Sequence, residues 1–179
     1  MPVAGIFVTQ LLFGYLVWTL VVVTYVLPWL RSLGRFEAQR AIAALNAFRF
    51  FGLVFILPGV IGPHLPTEFA VPAAYADFAT SILAIFAFVL FPIRPLFLGF
   101  VVAFNVVGAA DLIIDTFNAI HFGLPPVAGQ LGAAYAIPII YVPLLMISHV
   151  VAFYLLFAPS ARATSAKAAS HSGSYSSTY

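Results

Sequence analysis

The chain has 179 residues, 64% of them hydrophobic and only 7% charged, with no cysteine. Soluble domains carry roughly 25% charged residues, and a soluble fold of this length has too much surface for its volume to hide so many apolar side chains. The bilayer is therefore the expected solvent. Disulfides, thiolate metal sites and cysteine nucleophiles are excluded, and the formal charge of +2 arises from too few groups to suggest a nucleic-acid partner.

Inside hydrocarbon every backbone amide needs an internal partner, so spanning segments are helices or closed barrels. A barrel strand is about ten residues of alternating polarity. The apolar runs here are about twice that length and unbroken, which predicts helices. The expected fold is all-α, a transmembrane bundle of five spans within residues 1–159. The first span, 6–30, lacks a basic leader and a small-residue cleavage site, so it reads as a retained helix and not a signal peptide. The second, 40–62, ends at Gly62-Pro63, and the third, 72–91, at Pro92. The fourth, 95–121, is closed by Gly123 and Pro125-Pro126, and the fifth, 131–157, by Pro159. Pro58, Pro138 and Pro143 fall inside spans and are expected to kink them. Residues 160–179 are rich in Ser and Ala and are expected to form a disordered cytoplasmic tail.

Orientation follows from Lys and Arg in the short loops. Arg31, Arg35 and Arg40 follow the first span, Arg94 lies between the third and fourth, and Arg162 and Lys167 lie in the tail. The other two loops carry neither Lys nor Arg. The alternation predicts an external N-terminus and a cytoplasmic C-terminus. The spans show no internal repeat of the kind found in inverted-repeat transporters.

Ionisable groups within a span cost several kcal/mol and face the bundle interior. At 100° per residue, Gly108, Asp111, Asp115 and Asn118 share one face of the fourth span, flanked by Asn105 and His121. Asp111 and Asp115 are one turn apart. In low dielectric such a pair does not readily carry two charges, so one carboxyl is expected to hold a proton unless a cation is close. Helical rise places Asp77, Tyr75, Asp115, Asn118, His121 and Tyr135 in an outer layer, and Asn46, Arg49, Asn105 and His149 in an inner one. Asp111 lies between and leans toward its helix N-terminus, which makes Arg49 its expected counter-charge. Plainer readings stand beside these: interfacial hydration for Asp77, His64 and His121, snorkelling for Arg49, and a simple interhelical hydrogen bond for His149.

These residues suggest a general acid and base in Asp111, Asp115 and His149, with Arg49, Asn105, Asn118, Asp77 and Asn46 lining a ligand site. Five kinked helices rich in Phe can enclose a chamber for an isoprenoid, sterol-like or acyl ligand, as an isomerase, cyclase or carrier would need. Proton or ion passage through the same carboxylates is the alternative. A third reading is an accessory subunit whose polar groups bind a partner helix or a second copy, with Gly99, Gly108 and Ala109 at the seam. No cofactor or metal is expected. The Asp-x-x-x-Asp spacing lacks the second acidic motif that metal-dependent prenyl and phospholipid transferases require. His121 and His149 lie at different depths and cannot bracket one haem. No His-Glu-x-x-His, Gly-rich phosphate loop or Ser-His-Asp set occurs.

The fifth span, with Gly132-Ala-Ala-Tyr135, Pro138, Val142-Pro143 and His149, together with the Asn105–Asp111 stretch, resembles small, uncharacterised bacterial polytopic integral membrane proteins. The resemblance implies a bacterial inner membrane and carries no activity or functional residue with it.

Overall fold

The structure, a computed structural model, describes residues 1–157. The tail expected over 160–179 lies outside the described residues. Among those described the chain is all-helical. Five helices are long and apolar enough to cross a membrane: α1 (Val3–Ser32), α2 (Arg35–Ile56), α3 (Thr67–Val89), α4 (Arg94–His121) and α5 (Ile137–Phe157). A 3₁₀ segment, Pro125–Tyr135, joins α4 to α5.

The helix ends differ from the sequence expectations in ways that matter for depth. Pro58 does not kink α2 but ends it. A residue before proline is driven out of the α region, and Leu57 is extended at φ −82°, ψ 117°. Arg40 lies inside α2, whose N-cap is Gly34. α3 begins at Thr67 after Pro66, so Pro72 sits in its second turn and does not start it. The 131–135 stretch is not part of the last helix. Gly132 there takes φ 54°, ψ −127°, a conformation open to glycine, and its Cα packs against the Val60 carbonyl. Gly62 N–H donates to the Gln130 carbonyl at 2.6 Å, tying this segment to the loop between α2 and α3.

Pro138 occupies the first turn of α5, where its missing N–H costs nothing. Pro143 lies further in and removes the donor that the Ile139 carbonyl would use. That carbonyl faces α1 at Gly14, where a Cβ would collide with it. The helix is wound as a π turn over Ile137–Tyr141, and the Ile140 carbonyl accepts from Trp18 Nε1 at 2.9 Å. The Ile139 and Ile140 carbonyls thus both face α1, one packed on Gly14 and the other bonded to the Trp18 indole. The second half of α2, Ala47–Ile56, is wound as a 3₁₀ helix. Runs of that length are uncommon and accompany strain or a hinge.

The interior divides into three layers. An apolar cluster at the basic end, near Arg31, Arg40 and Arg94, includes Val22, Ile42, Ala84, Phe97, Val101 and Ala152. At the opposite end a second cluster includes Phe7, Phe55, Phe69, Ala73, Leu131 and Ala134. Between them lie the buried polar residues Asn46, Arg49, Asp77, Thr80, Ser81, Asn105, Asp111, Ser148 and His149. The exterior is the reverse of a soluble protein's: Phe13, Leu16, Phe51, Ile113, Phe117 and Val150 are among many large apolar side chains left exposed. Patches of this extent mark a surface that meets lipid or protein.

Candidate functional site: a buried guanidinium shared by four helices

Arg49, from the 3₁₀ half of α2, is 0% exposed and is the hub of the polar layer. Its Nε donates to Asp77 Oδ1 of α3 at 2.7 Å, and its Nη2 lies 2.7 Å from the same oxygen. Nη2 also donates to Asp111 Oδ2 of α4. Nη1 donates to the Gly108 carbonyl at 3.2 Å and to His149 Nε2 of α5 at 3.2 Å. Four hydrogen bonds and the close Nη2–Asp77 ion pair thus hold the guanidinium against three other helices. Snorkelling does not describe this arginine, because its head is enclosed by protein.

The contact with Arg49 fixes the state of His149. A guanidinium has no lone pair to offer, so Nε2 must accept and the ring proton sits on Nδ1. Nδ1 donates to Asn105 Oδ1 at 2.9 Å, and Asn105 Nδ2 donates to the Val101 carbonyl at 2.8 Å. The imidazole is thus held neutral in one tautomer. Asn46 forms a separate link: its Nδ2 donates to the Ile42 carbonyl at 3.0 Å and to Ser148 Oγ at 3.2 Å, while its Oδ1 is buried without a partner among the described residues.

Two glycines make room for the centre. A Cβ on Gly108 would lie 2.7 Å from both Arg49 Nη1 and His149 Nε2. A Cβ on Gly52 would lie 2.6 Å from Asp77 Cβ and 2.7 Å from its Cγ. At these positions only hydrogen fits, and both backbones approach the charged side chains closely.

The structure brings together Arg49, Asp77, Asn105, Asp111 and His149, with Asn46 alongside. Arg49 is the counter-charge of Asp111. Asp77 departs from the interfacial position expected for it. Because α3 starts at Thr67, Asp77 lies about 15 Å inside the helix at about 1.5 Å per residue, and it is 7% exposed. The two expected layers merge there, since the long arginine side chain spans the gap. Asp115 and Asn118 do not join the centre. Both are half-buried and continue the α4 stripe from buried Asp111 toward exposed His121. Tyr135 and Tyr75 lie away from the centre: Tyr135 Oη donates to Gln10 Oε1 of α1 at 2.6 Å, and Tyr75 is exposed.

Gly52 and Gln39 were not legible as parts of the polar interior. Gln39 is fully buried and donates from Nε2 to the Ala152 carbonyl at 2.9 Å. A helical wheel centred on acidic residues does not point to either, although a glycine in an apolar run is a signal of close backbone approach.

Chemically, the centre is a charge balance with a remainder. One guanidinium faces two carboxylates, so with both ionised the cluster carries one formal negative charge in excess. A single proton or monovalent cation cancels it. Such a balance matters because an uncompensated charge in a low-dielectric interior is costly.

A bundle of five membrane-length helices clamped by a buried guanidinium–carboxylate–imidazole centre defines the class of this protein. Within it, the chain belongs to the family described as a domain of unknown function, DUF8737, whose match runs over residues 6–157. No curated protein and no solved structure matches the chain.

Proposed function

We propose that this is a multi-pass protein of a bacterial inner membrane, with its N-terminus outside and its C-terminus in the cytoplasm, and that its Arg49 centre takes up and passes a proton. The apolar exterior and the five long helices support the membrane setting. The alternation of Arg-bearing and Lys/Arg-free loops supports the orientation. The observation that carries the proton reading is the shared guanidinium, with two carboxylates on one cation inside a nearly closed interior.

The α4 stripe supplies an approach. From exposed His121 through half-buried Asn118 and Asp115 to buried Asp111, polar groups follow at one-turn steps. A proton arriving on Asp111 weakens its hold on Nη2 and leaves Arg49 to Asp77. Beyond Arg49 lies His149 Nε2, a lone pair occupied by the guanidinium. Movement of Arg49 toward Asp77 frees that lone pair for the proton, and the 3₁₀ half of α2, on which Arg49 rides, is the element placed to move. Past His149 and Asn105 the apolar cluster of Phe97, Val101 and Phe104 closes the path, so passage requires a change of helix packing and not a standing pore.

Ligand handling remains the second reading of the same bundle, favoured by two apolar cavities. One, of about 190 Å³, includes Ser148, Leu45 and Trp29. The other, of about 490 Å³, lies between α1 and α5. The first reaches the polar layer through Ser148, and neither is lined by Arg49, Asp77 or Asp111.

Reconstitution tests the proton reading. Liposomes containing the protein and an internal pH-sensitive dye are expected to dissipate an imposed pH gradient faster than empty liposomes. Asp111→Asn is expected to abolish the difference. Equal rates for wild type and Asp111→Asn, each verified as folded and inserted, would contradict it.

A further inference from the structure

We propose that the groove between α1 and α5 at the basic end holds one acyl chain of an anionic phospholipid, whose phosphate is bound by Arg31. The inference rests on the membrane setting proposed above and is independent of the proton reading.

The groove has a volume of about 490 Å³, within the range of about 300–1,000 Å³ usual for small-ligand sites. Its walls are apolar along most of their length, with Val23 and Leu27 of α1 opposite Met146 and Val150 of α5, and Arg31 and Tyr154 at its basic end. From Tyr15 to Arg31 the α1 wall is about 24 Å long at about 1.5 Å per residue, longer than the half of the roughly 30 Å hydrocarbon thickness that one leaflet contributes. One chain of one leaflet fits within that length, with its headgroup at the Arg31 level.

Arg31 is the charged end of this two-part surface. Tyr154 Oη accepts from its Nη2 at 2.7 Å, and the guanidinium carbon lies 5.2 Å from the centre of the Tyr154 ring. No carboxylate pairs with it among the described residues. The tyrosine thus orients the guanidinium and leaves its charge unanswered. By contrast Arg40 lies over Phe88 and Phe91, and Arg94 over Phe36 and Phe91, away from this groove. An oriented, charge-unpaired arginine above an apolar slot between helices on the cytoplasmic side is the arrangement that binds anionic lipid headgroups.

The occupant has a structural use. α1 is the least buried of the five helices, and its exposed Val23 and the exposed Val150 of α5 border the groove. A chain seated there fills the space between the two helices and fastens α1 to the bundle.

The test is native mass spectrometry of the full chain in detergent after incubation with equimolar phosphatidylglycerol and phosphatidylcholine. Membrane residence is established first, by retention of the protein in alkaline-washed membranes. Loss from those membranes overturns the membrane setting and this inference with it. With residence established, wild type is expected to retain one phosphatidylglycerol with about fivefold preference, the worth of one basic side chain near an anionic headgroup. Arg31→Gln is expected to bring the preference close to one. Val150→Trp, which fills the slot, is expected to reduce retention of both lipids at unchanged helix content. Undiminished preference in Arg31→Gln, lipid retention unaffected by Val150→Trp, or a second copy of the chain in place of lipid would each overturn the groove assignment while leaving the membrane setting intact.

Discussion

Replacement of Arg49 by methionine removes the guanidinium and keeps a side chain of similar reach. In wild type that group satisfies Asp77, Asp111, the Gly108 carbonyl and His149 at once. Breaking a buried ion pair by deleting one partner costs about 3–5 kcal/mol, because the other charge is left uncompensated. Here two carboxylates are left, so the expected loss for Arg49→Met lies at the upper end of that range. Asp77→Asn is milder, at about 1.5–3 kcal/mol, since Asp111 still neutralises the arginine. The double variant leaves one buried carboxylate and not two. Its loss is therefore smaller than the sum of the single losses, with a coupling of about 1.5–3 kcal/mol. Equilibrium unfolding in mixed micelles, followed by circular dichroism, measures all three variants. A loss below about 1 kcal/mol for Arg49→Met, or additivity within about 0.5 kcal/mol, would refute the idea that this arginine is the electrostatic hub of the bundle.

Other expectations follow from single contacts. Gly108→Ala forces a Cβ against Arg49 and His149 and should destabilise by about 1–3 kcal/mol, whereas Gly99→Ala, with nothing within 4 Å of its new Cβ, should cost nothing; equal unfolding temperatures for the two variants would contradict the close-approach argument. Trp18→Phe removes the indole donor from the Ile140 carbonyl and should cost about 1 kcal/mol, with faster amide exchange in the first turns of α5. The absence of native cysteine permits single-cysteine mapping: in intact cells an impermeant maleimide should label Gly129→Cys and leave Ser32→Cys unlabelled, and the reverse pattern would invert the proposed orientation.

The five helices could be read from apolar run length because hydrocarbon leaves the backbone few alternatives. Helix ends were harder. Pro58 and Pro138 look alike in sequence, each in an apolar stretch, yet one terminates α2 and the other sits in the first turn of α5. The difference lies in tertiary pairing of the 57–66 loop with the 3₁₀ segment through Gly62, Gln130 and Gly132, which no local pattern encodes. The Arg49–Asp111 pair was legible from depth and side-chain direction. The depth of Asp77 was not, because a helix beginning at Pro72 puts the carboxylate nearer the surface, by about a turn and a half, than one beginning at Thr67 does. Asp115 illustrates the converse limit. Its spacing from Asp111 puts it on the same stripe, but the guanidinium reaches only as far as Asp111, and Asp115 is left half-buried outside the centre.

Infrared difference spectroscopy of the protein in nanodiscs, stepped in pH, addresses the excess charge most directly. If the Arg49 centre carries a proton, wild type shows the C=O stretch of a buried carboxylic acid, and Asp111→Asn removes or shifts that band while the amide bands stay unchanged. The same carboxylic-acid signal in wild type and Asp111→Asn, or none in wild type across the pH range in which the protein stays folded, would contradict the account.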